Sequence, residues 1–223
     1  IVYKWPGFTC KWWHGSILSK MTSYDVIIIG GGHAGVEAAT ASARRGAKTL
    51  LITQSEYDLG AMSCNPSIGG PGKSQMVAEI DAMGGIMGRA ADAAGIQFRM
   101  LNASHGAATQ ALRAQIDRVL YHNEIVKILK NYPNLTVQIE TVKSLDIAKM
   151  CINSEYTARA IVLTTGTFLH GLVTRGNEKI SSGRITDDGQ YQAADTNISN
   201  ILSDSGFHIM RLKTGTPARI ERA

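Results

Sequence analysis

The stretch Gly30-Gly31-Gly32-His33-Ala34-Gly35 constrains this chain more than any other. It sits between Tyr24–Ile29 (YDVIII), an apolar, β-branched run of the kind that forms a buried parallel strand, and Val36–Arg45, an Ala-rich stretch that reads as a helix. Lys48–Thr53 (KTLLIT) then predicts a second buried strand, completing one βαβ unit. In that setting the spacing Gly30-x-Gly32-x-x-Gly35 has a backbone logic. Gly30 permits the tight turn, Gly32 lets a pyrophosphate approach, and Gly35 lets helix and strand pack closely, while the helix N-terminus offers free N–H groups to the phosphates. We read dinucleotide binding here in preference to a purely structural turn. For the acid that usually holds a ribose hydroxyl, Glu56 is the first beyond the strand, with the Thr53 hydroxyl and loop backbone as the alternative.

Charge gives no independent lead. The 223 residues carry a formal +5, which on its own suggests a polyanionic partner. Residues 1–20 contribute Lys4, Lys11 and Lys20 and no acid, however, leaving 20 basic against 18 acidic residues elsewhere. The same segment holds every tryptophan, Trp5, Trp12 and Trp13, and precedes Met21. We read residues 1–20 as an extension ahead of a natural start at Met21, in preference to a targeting peptide. With 44% hydrophobic and 18% charged residues the remainder is an ordinary globular chain. No apolar run approaches the ~20 residues of a membrane-spanning helix. Cys10, Cys64 and Cys151 are odd in number and widely spaced, which indicates neither a disulfide framework nor a metal site. A reducing compartment fits best.

Further along, Gln54–Ser74 is loop-like, and Gln75–Met83 regains helical spacing. Thr109–Asn131 predicts the longest helix, with Leu112, Ile116, Val119, Leu120, Ile125, Ile128 and Leu129 on one side, ended by Tyr132-Pro133. Leu135–Arg159 alternates in short runs that suggest an antiparallel meander, and Ala160–Thr165 reads as another buried strand closing on Gly166. Gly72-Lys73-Ser74 is not a P-loop, because Ser67 stands where the first glycine is needed. What remains is a glycine-rich loop with Lys73 near a helix start, a second candidate anion-binding element. Cys64, beside that loop, reads on its own as a small buried cysteine, with an activated nucleophile as the alternative. The histidines show no metal or triad spacing, and the arginines are scattered.

From Tyr24 onward the sequence resembles the MnmG (GidA) family of tRNA uridine 5-carboxymethylaminomethyl modification enzymes. The stretches that carry the likeness are YDVIIIGGGHAGVEAA (24–39), LGAMSCNPSIGG (59–70), EIDAMGG (79–85), AGIQFRMLNAS (94–104), RAQIDRVLY (113–121), VLTTGTFLHG (162–171) and RLKTGTPARI (211–220). The resemblance implies an α/β glutathione-reductase-type FAD-binding, Rossmann-like fold, in which Gly30, Gly31, Gly32, His33, Ala34 and Gly35 hold the FAD pyrophosphate. Val142 meets the adenine side, and Gly166 ends the strand beneath the cofactor. It further implies NADH as reductant, methylenetetrahydrofolate as one-carbon donor, tRNA as substrate, the GTPase MnmE as partner, a homodimer, and a cytoplasmic setting with a mitochondrial alternative. Cys64 matches a family cysteine considered a candidate nucleophile: a thiolate adding to uracil C6 makes C5 carbanion-like, as alkylation at C5 requires, with a role toward the folate-derived carbon as the other option.

The chain also departs from the family pattern. It has GPGKSQ at 70–75 where the family usually has GIGKGH, SHGAATQ at 104–110 in place of SKGPAVR, and ITDDGQYQAAD at 185–195 in place of a GDxPS stretch. Family members also run far longer. We therefore expect an incomplete fold: an extension at 1–20, the first part of a FAD-binding domain at 21–166, and the start of an inserted second domain at 167–223. The competing expectations are an inactive fragment with residual FAD or tRNA binding, and another flavin oxidoreductase.

Overall fold

The computed structural model describes residues 21–185 and 189–215, so the predicted extension at 1–20 and the final residues of the predicted second domain lie outside the described residues. The chain opens with strand β1 (Thr22–Ile29), helix α1 (His33–Arg44) and strand β2 (Thr49–Thr53), the βαβ beginning expected from the glycine pattern. A 3-10 turn at Glu56–Asp58 leads to β3 (Ser67–Gly69), α2 (Ser74–Ala82), α3 (Met87–Ala94), β4 (Gly95–Leu101) and β5 (Ala111–Ile116). Next come α4 (Arg118–Lys130), β6 (Leu135–Ile139), β7 (Leu145–Asp146), β8 (Cys151–Ile152) and β9 (Tyr156–Leu163). Two short hairpins, β10 (Leu172–Arg175) with β11 (Glu178–Ser181) and β12 (Arg184–Ile185) with β13 (Tyr191–Gln192), precede α5 (Asn197–Asp204).

The main sheet has the order β6-β2-β1-β9-β8-β7. β6, β2, β1 and β9 run parallel, and β8 and β7 are antiparallel additions at one edge. Both faces are covered, which is why the strands read as unbroken apolar runs rather than alternating ones. Ile28 and Leu51 pack on one face with Val36 and Ala39 of α1, Ile86 and Ala90 near and in α3, and Tyr121 and Ile125 of α4. Ile27, Ile29, Leu50 and Ile52 face the other way, against Val142, Leu145, Ile152 and Ile198. The architecture is thus a mixed α/β, Rossmann-like arrangement of four parallel strands with two short antiparallel strands at one edge.

Two expectations are corrected. The helix predicted over Thr109–Asn131 is a strand followed by a helix: β5 is the central strand of a three-stranded antiparallel sheet, β3-β5-β4. Its Ala114 opposes Ile68 on one side and Phe98 on the other, and it is buried. Asp117 separates the two elements, its Oδ1 accepting from the N–H groups of Val119 at 2.9 Å and Leu120 at 3.0 Å, so α4 has its own N-cap. Val119 and Leu120, assigned by spacing to the apolar side, are exposed, and the inward face is Tyr121, Ile125, Ile128 and Leu129. The second correction concerns the meander. Leu135–Ile139 pairs parallel with β2 and extends the main sheet, so only the chain from Leu145 through β9 forms antiparallel pairs. Helix α4 makes the crossover that a parallel strand requires.

Candidate functional site

Open α/β sheets bind ligands beyond the carboxyl ends of their parallel strands, and a cavity lies there. Its volume is about 390 Å³, and it is lined by the ends of β1, β2, β6 and β9, the glycine turn and the segment from Gly166 to Leu169, with Arg184, Asp195 and Ile198 from further along the chain. Gly30 to Ala34, Val142 and Gly166 all line it; Gly35 and Cys64 do not.

The turn is built from backbone contacts. Gly30 has φ +107°, and a Cβ there would stand 2.5 Å from the carbonyl oxygen of Thr164. A Cβ on Gly35 would collide with the carbonyl oxygen of Gly30, so this glycine sets the approach of α1 to β1 without touching the cavity. A Cβ on Gly32 would meet nothing, because it faces open space. The Thr164 hydroxyl donates to the Ile29 carbonyl at 2.9 Å, tying the end of β9 to the turn, and the Gly60 N–H donates to the Gly31 carbonyl at 2.9 Å. Helix α1 starts at His33 with no side-chain cap and no acid in its first turn. Its free N–H groups and dipole therefore point a positive end into an open glycine cradle, which suits the diphosphate of a dinucleotide.

His33 adds a neutral polar group to that cradle. Its Nε2 is buried without a hydrogen-bond partner, and its ring lies 5.6 Å from that of the buried Tyr121. Burial lowers the His33 pKa below its ordinary value, so the ring acts as a neutral imidazole, able to donate or accept but not to serve as counter-ion. Burial, reinforced by the Glu37 carboxylate, pushes the Tyr121 phenol up. Glu37 itself accepts from the N–H groups of Ile86 at 2.9 Å and Met87 at 2.7 Å, capping α3 from α1.

The structure also decides which acids face the cavity. Glu56 is exposed and lines a separate hollow with His122, Lys127 and Lys130. Glu140, the residue directly after β6, lines the cavity instead. Its carboxylate accepts from Asn153 Nδ2 at 2.6 Å and from the Tyr156 hydroxyl at 3.1 Å, and the Tyr156 phenol is pushed up to about 12 by burial and by Glu140. Sequence reasoning missed Glu140 because it put this strand in a meander. Read as parallel, the strand would have pointed its last residues at the site. Asp58, Gln54 and Arg184 were also missed.

Cys64 is exposed, which corrects the reading of a small buried cysteine. It follows Ser63, a lining residue, and its carbonyl accepts from Arg118 Nη2 at 2.8 Å. The loop beyond it has Gly69, Gly70 and Gly72 at positive φ. The Ser74 hydroxyl accepts from the Gly70 N–H at 3.1 Å and donates to the Leu112 carbonyl at 2.7 Å, fixing this loop to β5, with Lys73 exposed at the N-cap of α2.

The profile of the family described as "Glucose inhibited division protein A" matches residues 25–223, from the first strand onward. The chain belongs to the glucose inhibited division protein A family. It is 47% identical over 207 residues to the tRNA uridine 5-carboxymethylaminomethyl modification enzyme MnmG of Aliarcobacter butzleri, covering 89% of this chain and 32% of that protein. Aquifex aeolicus GidA is similar in structure, with a TM-score of 0.78 and 42% identity over 88% of this chain and 33% of that one. A GidA-related protein from Thermus thermophilus, at 19% identity and a TM-score of 0.56, shares the fold over 84% of this chain and 70% of that one. The chain therefore spans about a third of the length of the GidA and MnmG relatives it matches.

Proposed function

We propose that this chain forms the FAD-binding first part of a tRNA wobble-uridine modification enzyme, acting on tRNA as the MnmG relative's name describes. The observation that carries the proposal is the open glycine cradle at the α1 N-terminus, found in a chain 47% identical to MnmG. The residues present fit the cofactor. Gly30 to Ala34 would receive the diphosphate, Val142 would lie against the adenine, and Gly166 would pass beneath the remainder, with Gly35 holding α1 against β1. When bound, FAD supplies redox capacity for building the uridine substituent. NADH as reductant, methylenetetrahydrofolate as one-carbon donor, the MnmE GTPase as partner, homodimerisation, a cytoplasmic setting and a domain division at 166/167 belong to the same proposal. No helix among the described residues is long and apolar enough to cross a membrane.

Cys64 is the proposed nucleophile. Its exposure on a loop at the cavity's edge leaves the thiol accessible to a large substrate, and addition of a thiolate to uracil C6 would develop negative charge at C5. The test has two stages. The purified chain is expected to retain or take up FAD, seen in the visible spectrum; a colourless protein that ignores added FAD overturns the proposal. In the full-length enzyme, Cys64→Ser should keep the flavin and abolish tRNA modification, and undiminished modification rejects Cys64.

A further inference from the structure

The cavity is closed on one side by chain far from the βαβ unit, and one ion pair joins the two. Arg184 Nη2 lies 2.6 Å from Asp58 Oδ1, and both side chains are largely buried, at 16% and 12% exposure. The groups are 126 residues apart in sequence, and each is mounted firmly. Asp58 ends the 3-10 turn after β2, its N–H donating to the Ser55 carbonyl at 3.1 Å and its carbonyl accepting from Ala61 at 3.1 Å. Arg184 starts β12, with Nε donating to Gln192 Oε1 at 3.0 Å across the hairpin. The buried Ser182 hydroxyl donates to the Gln192 carbonyl at 2.6 Å, and the Thr167 hydroxyl to the Gly183 carbonyl at 2.6 Å. The guanidinium thus reaches from a braced hairpin to a braced turn, and both residues line the cavity.

We propose that the Asp58–Arg184 pair is a latch that holds the hairpin as the cavity's far wall and governs how long a diphosphate-linked dinucleotide stays bound. Arg184 is the only Lys or Arg among the described lining residues, where Asp58, Glu140 and Asp195 are all acidic. A lone cation in such a cavity has two uses open to it: to contact the anionic ligand, or to neutralise a wall carboxylate and hold the wall in place. The bond to Asp58, the bond to Gln192 and the burial of the pair favour the second. Opening the wall would separate two charges whose side chains are largely buried, which is costly compared with moving an exposed loop.

The two uses predict opposite signs in one variant. Asp58→Asn leaves the guanidinium free of its carboxylate. If Arg184 were an anion ligand held back by Asp58, FAD would bind more tightly in this variant. If the pair is a latch, FAD leaves faster, by about tenfold, with a similar increase in Arg184→Gln and little further increase in the double variant, as expected for two residues acting through one contact. Arg184→Lys, which keeps the charge and the stem, should fall between wild type and Arg184→Gln and covers the case in which the glutamine variant does not fold.

The latch rests on the FAD reading only for its ligand, so the experiment on the full chain has a second arm without flavin. Hydrogen exchange of the Gly183 amide, which donates to the Gln192 carbonyl, is expected to quicken in Asp58→Asn and Arg184→Lys. Tighter FAD binding in Asp58→Asn, additive effects in the double variant, or unchanged dissociation together with unchanged Gly183 exchange overturns the latch. If the wild-type protein binds no FAD but Gly183 exchange still quickens in the two variants, the FAD reading is overturned and the latch on the wall stands.

Discussion

His33 illustrates how a single position in the glycine turn acquires its chemistry from its neighbours. As a letter in a motif it is a titratable side chain beside a phosphate site; in the fold it is packed against Tyr121 with a buried, unpartnered nitrogen. Burial disfavours the charged form, so the folded pKa lies below the ordinary 6.5. As pH falls, the unfolded chain takes up a proton before the folded one does. The stability His33 contributes is therefore complete above 6.5 and lost as pH falls from there through the folded pKa. Denaturant melts of the flavin-free chain on either side of that value should show a larger acid loss in wild type than in His33→Gln. Equal losses would mean the ring titrates freely. The glycines around it were legible from sequence because their role is backbone geometry; the state of His33 was not, because Tyr121 comes from another helix.

At the scale of elements, the corrected stretch Ala111–Ile116 shows where spacing misleads. Leu112, Ile116, Val119 and Leu120 satisfy a helical period, yet the first two belong to a strand and the last two are exposed. A six-residue strand and the helix after it mimic one long helix when the cap between them is overlooked, and Asp117 was that cap. The strand is defined by pairing on both sides, something only the fold supplies. Ala114→Pro is accordingly expected to destabilise the chain by about 3 kcal/mol, since proline at the centre of the β3-β5-β4 sheet removes a ladder hydrogen bond and disturbs a buried position. Thermal melts would measure this, and a change near zero would argue against a paired central strand at this position. The β6 strand makes the same point at the site. Its parallel pairing with β2 is what delivers Glu140 to the cavity, while Glu56, the nearer acid in sequence, faces elsewhere.

For the whole molecule, a ligand that binds only the folded chain must stabilise it, by an amount that grows with the logarithm of its concentration relative to its dissociation constant. With FAD at a hundredfold excess over its dissociation constant, the unfolding free energy should rise by about 2.7 kcal/mol, read as a shift of the melting curve; no shift would mean that the cavity does not take FAD. The βαβ opening, the glycine turn and the family were legible in the sequence, because unbroken apolar strands, glycines at fixed spacing and long shared stretches are local properties of the chain. The +5 formal charge, by contrast, located nothing, since residues 1–20 supply most of it. Which acids line the cavity, that Cys64 is exposed, and that Arg184 reaches Asp58 across 126 residues were decided only by the tertiary structure. Each of these depends on pairing between strands or on contacts between distant segments, and such contacts leave no periodic trace in the sequence.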